Sequence, residues 1–247
     1  MLVCDIQDVG VRYYTYLWTI SYILEAAGEY GAEVLILDRP NPLGGVKIEG
    51  APLDEAFASL VGRFNIPNRH GMTLGELAQM MNALWNPTPA VLTVIPCEGW
   101  QREMTWDMLG RVWIPPSPNM PQFVTALQYP GACLVEGTNL SEGRGTTLPF
   151  EMVGAPFVDG FRLPPILNRL GLQGVKFRPH SFSPATSKFA GESCHGVQVH
   201  ITDARGVEST QNMAACSHSD TRYVSWKIVW KPHFDLLMGS DEMRKQN

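Results

Sequence analysis

Several features that mark common protein classes are missing from this sequence of 247 residues. No apolar run approaches the roughly 20 residues that a membrane-spanning helix needs. Met1 leads directly into Leu2, Val3 and Cys4, without the basic region or the apolar stretch of a signal peptide. We therefore expect neither a transmembrane segment nor an export signal in this chain.

Cysteine is scarce and widely spaced. The five cysteines form no C-x-x-C pair: Cys4, Cys97, Cys133, Cys194 and Cys216. An odd, scattered set argues against a disulfide framework and against a structural zinc site. Cys4 and Cys133 lie in apolar runs, where a free thiol usually packs as a small core residue. His195 and His200 stand five positions apart, on opposite faces of a predicted strand, so we predict no metal site.

The signatures of nucleotide binding and of serine hydrolases are also absent. The sequence contains no G-x-G-x-x-G, no G-x-x-x-x-G-K-[ST] and no G-x-S-x-G. The net charge is −5, and Lys and Arg are dispersed, so neither a nucleic-acid stripe nor a polybasic membrane patch is predicted. The expected ligand is a neutral molecule or a small anion, bound without a cofactor.

The apolar residues that are present predict an α/β fold. They make up 45% of the chain, which is enough for at least one full core. Residues 2–4 form a short apolar run, and TYLWTISYILEAAGEYG then carries apolar residues at helical spacing up to Gly31. Residues 34–37 form a second apolar run. Strand, helix and strand in this order predict a βαβ unit in a parallel sheet.

The alternation continues along the chain. It predicts helices over residues 74–85, 121–128 and 166–170, and strands over residues 91–95, 132–135, 175–178 and 197–202. Four strands read as fully buried, and carboxylates follow each of them: Asp5 and Asp8, Asp38, Glu98, and Glu136 with Glu142. Ligands of open α/β sheets bind outside the carboxyl ends of the strands. These acidic loops are therefore expected to converge on one cleft.

The composition changes after Glu151, where GAPFVDGFRLPP is rich in Gly and Pro. We place a domain boundary near Gly154, which gives predicted domains over residues 1–153 and 154–247. Residues 204–221 are polar and follow neither the helical nor the strand period. That stretch is predicted to be a loop, a divergent insertion or a sequence error.

The loop EGTNLSEGRGTT, residues 136–147, is dense in hydrogen-bonding groups. Its glycines would let the backbone approach a ligand or adopt positive φ. Two interpretations stay open: contact with a ligand, or a solvated turn in which Glu142 pairs with Arg144. Glycoside cleavage needs two carboxyl groups about 5–5.5 Å apart for retention or about 6.5–9.5 Å apart for inversion. Any two of the acidic loops could supply them.

Two further segments combine charge with hydrogen-bonding capacity. Residues 5–16 hold two acids, Arg12 and three tyrosines directly after the first strand. Tyrosine faces can stack on sugar rings, and Arg12 could grip a carboxylate bidentately. The alternative is a helix start at which Asp8 caps and the tyrosines pack inward.

The second segment precedes a predicted helix. Thr73 and Glu76 form a T-x-x-E capping box, so we expect both to be structural. Arg69 and His70 lie just before it, where either could contact an anionic group.

Six segments in a fixed order cover most of residues 2–203: DIQDVGVRYYTY, LDRPNPLGG with IEGAPLD, IPNRHGMTLGELA, WIPPSPNMP, YPGACLVEGTNLSEGRGTTLPFE and SKFAGESCHGVQVHITD. Together they resemble the peptidoglycan exo-β-N-acetylmuramidases of the NamZ type, long catalogued as a domain of unknown function. The resemblance implies a Rossmann-like N-terminal catalytic domain with a mostly parallel sheet and a smaller C-terminal α/β domain. It also implies removal of terminal N-acetylmuramic acid from the non-reducing end of peptidoglycan fragments, in cell-wall turnover.

The resemblance gives the polar segments specific candidate roles. The candidate catalytic carboxylates are Glu136, Glu142, Asp5 and Asp8. The candidate substrate-binding residues are Arg12, Tyr14, Arg69, His70, Asn139, Arg144 and Thr146. N-acetylmuramic acid carries a lactyl carboxylate, which would give Arg12, Arg69 or Arg144 a specific partner.

The sequence departs from the family pattern in two places. The family's upstream strands and its G-P-E-H-G-type segment precede the point at which this sequence begins, and the pattern lapses over residues 204–221. A second hypothesis is therefore a muramyl-sugar-binding protein without hydrolytic activity. An extracytoplasmic location is expected from the substrate alone, because peptidoglycan lies outside the inner membrane.

Overall fold

The computed structural model describes residues 1–210 and 228–245. The chain divides into two compact units, Met1–Pro116 and Ser117–Asn247. Within the described residues, no helix is both long and apolar enough to cross a bilayer.

The first unit is a three-stranded parallel sheet with two helices. In chain order its elements are β1 (Leu2–Cys4), α1 (Tyr16–Tyr30), β2 (Glu33–Leu37), α2 (Leu74–Leu84) and β3 (Val91–Ile95). The strand order is β1-β2-β3, with Cys4 opposite Ile36 and Leu37 opposite Ile95. The predicted βαβ unit, its parallel pairing and the strand at residues 91–95 are confirmed.

Local sequence signals set the end of helix α1 and the start of helix α2. Helix α1 ends where Gly31 adopts a left-handed conformation with φ of 66°, which costs glycine little because it lacks a Cβ atom. Helix α2 begins at the predicted capping box. Thr73 Oγ1 accepts from the Glu76 amide, and the Glu76 side chain accepts from the Thr73 amide.

One face of the sheet forms the core of the unit. Side chains from α1 and α2, including Leu17, Trp18 and Leu77, pack against Val34 and Ile36. On the other face several apolar side chains are exposed: Val3, Val91 and Ile95. The prediction that these strands are fully buried is therefore wrong. A continuous apolar run shows that a strand is apolar on both faces, but not that both faces are covered.

The second unit combines helices with an antiparallel sheet. Its elements are α3 (Phe123–Ala132), β4 (Met152–Ala155), α4 (Leu163–Arg169), β5 (Val175–Phe182), β6 (Cys194–Ile201), α5 (Pro232–Met238) and α6 (Glu242–Lys245). The strand order is β4-β6-β5, and β6 pairs antiparallel with both neighbours. The two predicted strands correspond to β5 and β6, and both are longer than expected.

The strand predicted at residues 132–135 is wrong. Helix α3 runs to Ala132 and continues as a 3₁₀ turn over Cys133–Gly137. A short apolar run cannot distinguish a strand from a buried helical segment by periodicity alone. Cys133 is nevertheless buried, as is Cys4, so the prediction that both thiols belong to the core is confirmed.

The division between units differs from the boundary expected near Gly154. Gly154 lies inside β4, a strand that the sequence did not indicate, and pairs with Gly196 of β6. The Gly/Pro-rich texture after Glu151 therefore belongs to turns within the second unit. The irregular segment over residues 204–221 lies for the most part outside the described residues.

Candidate active site

A cavity of about 500 Å³ lies beyond the carboxyl ends of the three parallel strands. The residues that follow β1, β2 and β3 contribute Asp5, Asp38 and Glu98 to its wall. This is the position at which open α/β sheets bind ligands. The predicted convergence of acidic loops is confirmed for Asp5, Asp38 and Glu98, whereas Asp8 does not line this cavity, and Glu136 and Glu142 belong to the second unit.

Two of these three carboxylates are held by protein groups. Asp5 Oδ1 accepts from Arg39 Nε at 2.6 Å, and this hydrogen bond lowers the pKa of Asp5 below its ordinary value. Asp38 accepts from the Thr73 hydroxyl at 2.6 Å and from the Gly75 amide at 2.8 Å. Asp38 therefore ties the end of β2 to the start of α2, which makes it a structural residue.

Two charged side chains of the cavity are unpaired. Glu98 and Arg111 both line it and are exposed. Neither forms a side-chain hydrogen bond or an ion pair with any residue in the described ranges. The cleft therefore presents one available carboxylate and one available guanidinium.

Indole rings form part of the apolar wall, together with Leu37, Met104, Met108 and Leu109. Trp100 and Trp106 line the cavity. The Trp100 indole donates to the Met104 carbonyl at 3.2 Å, and Trp106 stacks edge-to-face on Trp113 at 5.1 Å between ring centroids. Fixed aromatic faces beside carboxylates and a guanidinium suit a sugar ring, which has apolar C–H faces and polar edges.

The predicted residues Asp8 and His70 lie in a buried polar cluster of the same unit. Asp8 Oδ2 accepts from the Gly10 amide at 2.6 Å and lies 3.5 Å from His70 Nε2. The Met72 amide donates to His70 Nδ1 at 3.2 Å, which places the proton of a neutral imidazole on Nε2, toward Asp8. Asp8 Oδ1 is buried without a hydrogen-bond partner among the described residues.

The two predicted arginines of this unit are also buried and engaged. Arg69 Nη1 pairs with Glu49 Oε1 at 2.7 Å. Arg12 Nη1 donates to the Ala51 and Ile66 carbonyls at 3.1 and 2.8 Å. Burial lowers the pKa of Arg12 to about 10. Both guanidinium groups hold loop backbone or a protein carboxylate in place.

The tyrosines of residues 5–16 pack largely inward. Tyr13 and Tyr14 are buried, and Tyr14 lies edge-on to Tyr16 at 4.8 Å between ring centroids. Tyr16 donates its hydroxyl to the Pro116 carbonyl at 2.9 Å. This is the structural alternative that the sequence left open for these rings.

The remaining predicted residues lie in the second unit, in an ion-pair cluster. Arg144 Nη2 pairs with Glu136 Oε1 at 2.6 Å, and Arg144 Nε lies 3.5 Å from Glu142 Oε1. Glu142 is almost fully buried. Arg144 thus bridges the two glutamates of the loop.

Lys188, which lies in the segment before β6, also contacts this loop. Its Nζ donates to the carbonyls of Val135, Glu136 and Leu140 at 3.0, 3.0 and 2.7 Å. It also lies 3.1 Å from Glu142 Oε2. Burial lowers the pKa of Lys188, and the charge of Glu142 opposes that shift.

Internal hydrogen bonds complete this loop. Thr146 donates its hydroxyl to the Gly143 carbonyl at 2.6 Å, and Asn139 Oδ1 accepts from the Val229 amide at 2.9 Å. Gly143 and Gly145 adopt φ of 80° and 79°, as expected for glycines in such a turn. The roles proposed for Glu136, Glu142, Asn139, Arg144 and Thr146 in substrate contact or catalysis stay predictions.

Sequence reasoning missed several residues that shape these sites: Arg39, Trp100, Trp106, Arg111 and Lys188. Trp100 could have been found from the rule that ligands bind beyond strand ends, because it lies in the loop after β3. Lys188 lies in SKFAGESCHG, a segment that carried the family resemblance without a role. Local sequence gave no signal for the pairing of Arg39 with Asp5, because 34 positions separate them.

The second unit contains a separate cavity of about 420 Å³. It is lined by His180, Ser181 and His195, together with residues of the turn before α4. Ser181 Oγ and His195 Nδ1 are 2.9 Å apart across the β5–β6 pair. No residue predicted to bind substrate or to act in catalysis lines this cavity.

Two family descriptions match consecutive parts of the chain. Exo-β-N-acetylmuramidase NamZ, N-terminal, matches residues 1–124, and Exo-β-N-acetylmuramidase NamZ, C-terminal, matches residues 127–246. The chain belongs to the NamZ family. The resemblance drawn from the six sequence segments is confirmed, and the two NamZ matches meet close to the division between the compact units.

Related proteins agree with the NamZ assignment. The chain is 49% identical over 246 residues to peptidoglycan β-N-acetylmuramidase NamZ of Bacillus subtilis strain 168. That match covers 99% of this chain and 59% of the Bacillus protein. The chain therefore spans less than two thirds of that relative.

Solved structures support the fold. Two crystal structures of DUF1343 family proteins from Bacteroides fragilis NCTC 9343 match with TM-scores of 0.89 and 0.78. The sequence identities are 37% and 36%, and each match covers 99% of this chain and 66% of the solved chain. The chain thus shares the α/β fold of both proteins along almost its whole length.

Proposed function

We propose that this protein is an exo-β-N-acetylmuramidase that removes terminal N-acetylmuramic acid from the non-reducing end of peptidoglycan fragments. Family membership supports the reaction type. The observation that carries the proposal is the cleft at the carboxyl ends of β1, β2 and β3. It combines an available carboxylate, an available guanidinium and two indole rings around a cavity of about 500 Å³.

Glycoside hydrolysis requires two carboxyl groups, and we assign these roles to Asp5 and Glu98, which both line the cleft. Arg39 lowers the pKa of Asp5, so Asp5 is ionised near neutral pH and suits a base, a nucleophile or a stabiliser of positive charge. Glu98 has no cation partner among the described residues, so its carboxyl group is available to a substrate, and we assign it contact with the leaving oxygen. Asp38 is committed to the start of α2 and takes no part in this scheme.

The other candidate carboxylates take supporting roles in this proposal. Asp8 orients His70 within the buried cluster. Glu136 and Glu142 keep the loop over residues 136–147 in shape through Arg144 and Lys188. Replacing each glutamate by glutamine separates the two roles. Loss of a catalytic carboxylate lowers kcat, whereas loss of a supporting carboxylate mainly lowers the stability of the protein.

We also propose an extracytoplasmic site of action. Peptidoglycan lies outside the inner membrane, so a protein that trims its fragments meets them there. Fractionation of cells that produce the full-length gene product, followed by immunodetection, tests this location directly. Recovery only with cytoplasmic marker proteins would contradict it.

The substitution Glu98→Gln tests the cleft. With a chromogenic β-glycoside of N-acetylmuramic acid, we expect it to lower kcat by about 10²- to 10⁴-fold, the usual worth of general acid catalysis. Glu103→Gln is the matched control, because Glu103 is an exposed glutamate of the same loop that does not line the cavity. Equal turnover by Glu98→Gln and wild type would remove Glu98 from the reaction. Binding of the sugar by the wild-type protein without turnover would overturn the proposed activity.

A further inference from the structure

The substrate of the proposed reaction carries a negative charge that related sugars lack. N-acetylmuramic acid differs from N-acetylglucosamine by a lactyl ether that ends in a carboxylate. A site that selects the muramyl sugar therefore needs a cation with a free hydrogen-bonding edge, and a guanidinium suits a carboxylate best because it donates two parallel hydrogen bonds.

The three arginines predicted for this task are already committed. Arg12 is buried and donates to two backbone carbonyls. Arg69 is buried against Glu49. Arg144 pairs with Glu136 and lies beside Glu142. Each would have to abandon a protein partner in order to accept a substrate carboxylate, and breaking a buried pair is costly.

Two arginines line the cleft, and only one of them is available. Arg39 is neutralised by Asp5 at 2.6 Å. Arg111 lines the same cavity, is exposed, and has no ion pair within residues 1–210 and 228–245. It follows Gly110, whose φ of 62° ends the 3₁₀ turn Trp106–Leu109. The turn that places Trp106 in the wall therefore also leads directly into Arg111.

Arg111 offsets negative charge in the cleft that would otherwise repel an anionic ligand. The cavity wall holds three acids, Asp5, Asp38 and Glu98, and two bases, Arg39 and Arg111. Without Arg111 the wall carries a net negative charge whether Glu98 is ionised or carries a proton, and a ligand carboxylate would be repelled.

We infer that Arg111 is the specificity-determining residue of the cleft and pairs with the lactyl carboxylate of N-acetylmuramic acid. The inference rests on the proposed muramidase function. In this arrangement the edge of the sugar that bears the lactyl group lies on the side of the cleft formed by the turn over Trp106–Leu109.

The test compares two substrates, of which only one carries a charge on the lactyl group. One is a chromogenic N-acetylmuramic acid glycoside, and the other is the methyl ester of its lactyl group. We expect Arg111→Gln to lower kcat/KM for the acid by about 10- to 100-fold, the range for losing a charged hydrogen-bonded pair. The loss for the ester should be much smaller, so the acid-to-ester ratio falls toward 1. Arg111→Lys should recover part of the ratio, because it restores the charge without the planar fork.

Arg169→Gln is the control, since Arg169 is an exposed arginine in α4 with no ion pair among the described residues. Its ratio should match that of wild type. If wild type hydrolyses the acid and Arg111→Gln keeps the wild-type ratio, the inference about Arg111 is wrong.

If wild type hydrolyses neither substrate, the proposed function fails, and calorimetry then decides the role of Arg111 separately. In that case the ratio of affinities for free N-acetylmuramic acid and its methyl ester should fall in Arg111→Gln. An unchanged affinity ratio would overturn the inference.

Discussion

At the scale of single residues, the pairing of arginines decides which charges are available to a ligand. Arg39 neutralises Asp5 in the cleft, and Arg69 and Arg144 are likewise committed to glutamates. The sequence suggested which arginines could bind an anion. It could not show which of them are already paired, because the partner carboxylates lie in distant parts of the chain. Arg111 differs from these arginines because it has no ion-pair partner among the described residues.

The Asp5–Arg39 pair predicts a pH effect. The hydrogen bond from Arg39 lowers the pKa of Asp5, so Arg39→Gln should let that pKa rise toward its ordinary value. If Asp5 acts as a carboxylate, the active form then requires a higher pH. We therefore expect the acid limb of the kcat/KM profile to move to higher pH in Arg39→Gln.

Arg162→Gln is the control for that experiment, because Arg162 forms an exposed ion pair with Asp159 in the second unit. Its acid limb should coincide with that of wild type. An acid limb that stays in place in Arg39→Gln would show that the ionisation of Asp5 does not govern turnover.

At the scale of elements, two anchors hold loops against the ends of secondary structure. In the first unit, Asp38 accepts hydrogen bonds from the Thr73 hydroxyl and the Gly75 amide, and these bonds join the end of β2 to the start of α2. A side chain at position 75 would place its Cβ 2.6 Å from Val94 Cγ1, so only glycine permits this close approach. In the second unit, Lys188 holds the loop after α3.

Lys188→Met should destabilise the protein. It keeps most of the side-chain volume, but it leaves Glu142 without its nearer cation and frees three carbonyls. We expect a loss of about 3 kcal/mol in the free energy of unfolding, the lower end for breaking a buried ion pair, because Arg144 still lies near Glu142. Denaturant titration measures this loss.

Lys176→Met serves as the control, since Lys176 is an exposed lysine of β5 without an ion pair among the described residues. The double variant with Glu142→Gln should be less destabilised than the sum of the two single variants. Strict additivity would mean that Lys188 and Glu142 do not interact as the geometry indicates.

The elements also show which sequence signals are reliable. Strands β1, β2 and β3 were predictable from their short apolar runs. Helices α1 and α2 were predictable because their apolar residues follow the helical period, with Gly31 marking the end of α1 and the Thr73 capping box the start of α2. The run at residues 132–135 was misread, because four apolar residues fit a helix end as well as a strand. Strand β4 was missed, because its partner β6 lies about 40 residues further along the chain and the pairing leaves no local pattern.

The candidate site was predictable only in outline. Parallel strands direct the residues after them to one edge, which located the cleft through Asp5, Asp38 and Glu98. The partners of each charge depend on tertiary contacts, so the sequence could not show that Asp38 is structural or that Arg111 is unpaired.

At the scale of the whole molecule, the chain is a NamZ family member built from two compact units. The first unit carries the strand-end cleft, and the second carries the ion-paired loop over residues 136–147. The chain spans 59% of its Bacillus subtilis relative, so its activity must be measured on this protein itself.

The most direct measurement uses two disaccharides that contain the same two sugars in opposite order. The protein is incubated with N-acetylmuramyl-N-acetylglucosamine and, separately, with N-acetylglucosaminyl-N-acetylmuramic acid, and free N-acetylmuramic acid is quantified by mass spectrometry. We predict release from the first disaccharide, which has the muramyl sugar at its non-reducing end, and none from the second. Release from the second disaccharide, or from neither, would contradict an exo-acting muramidase.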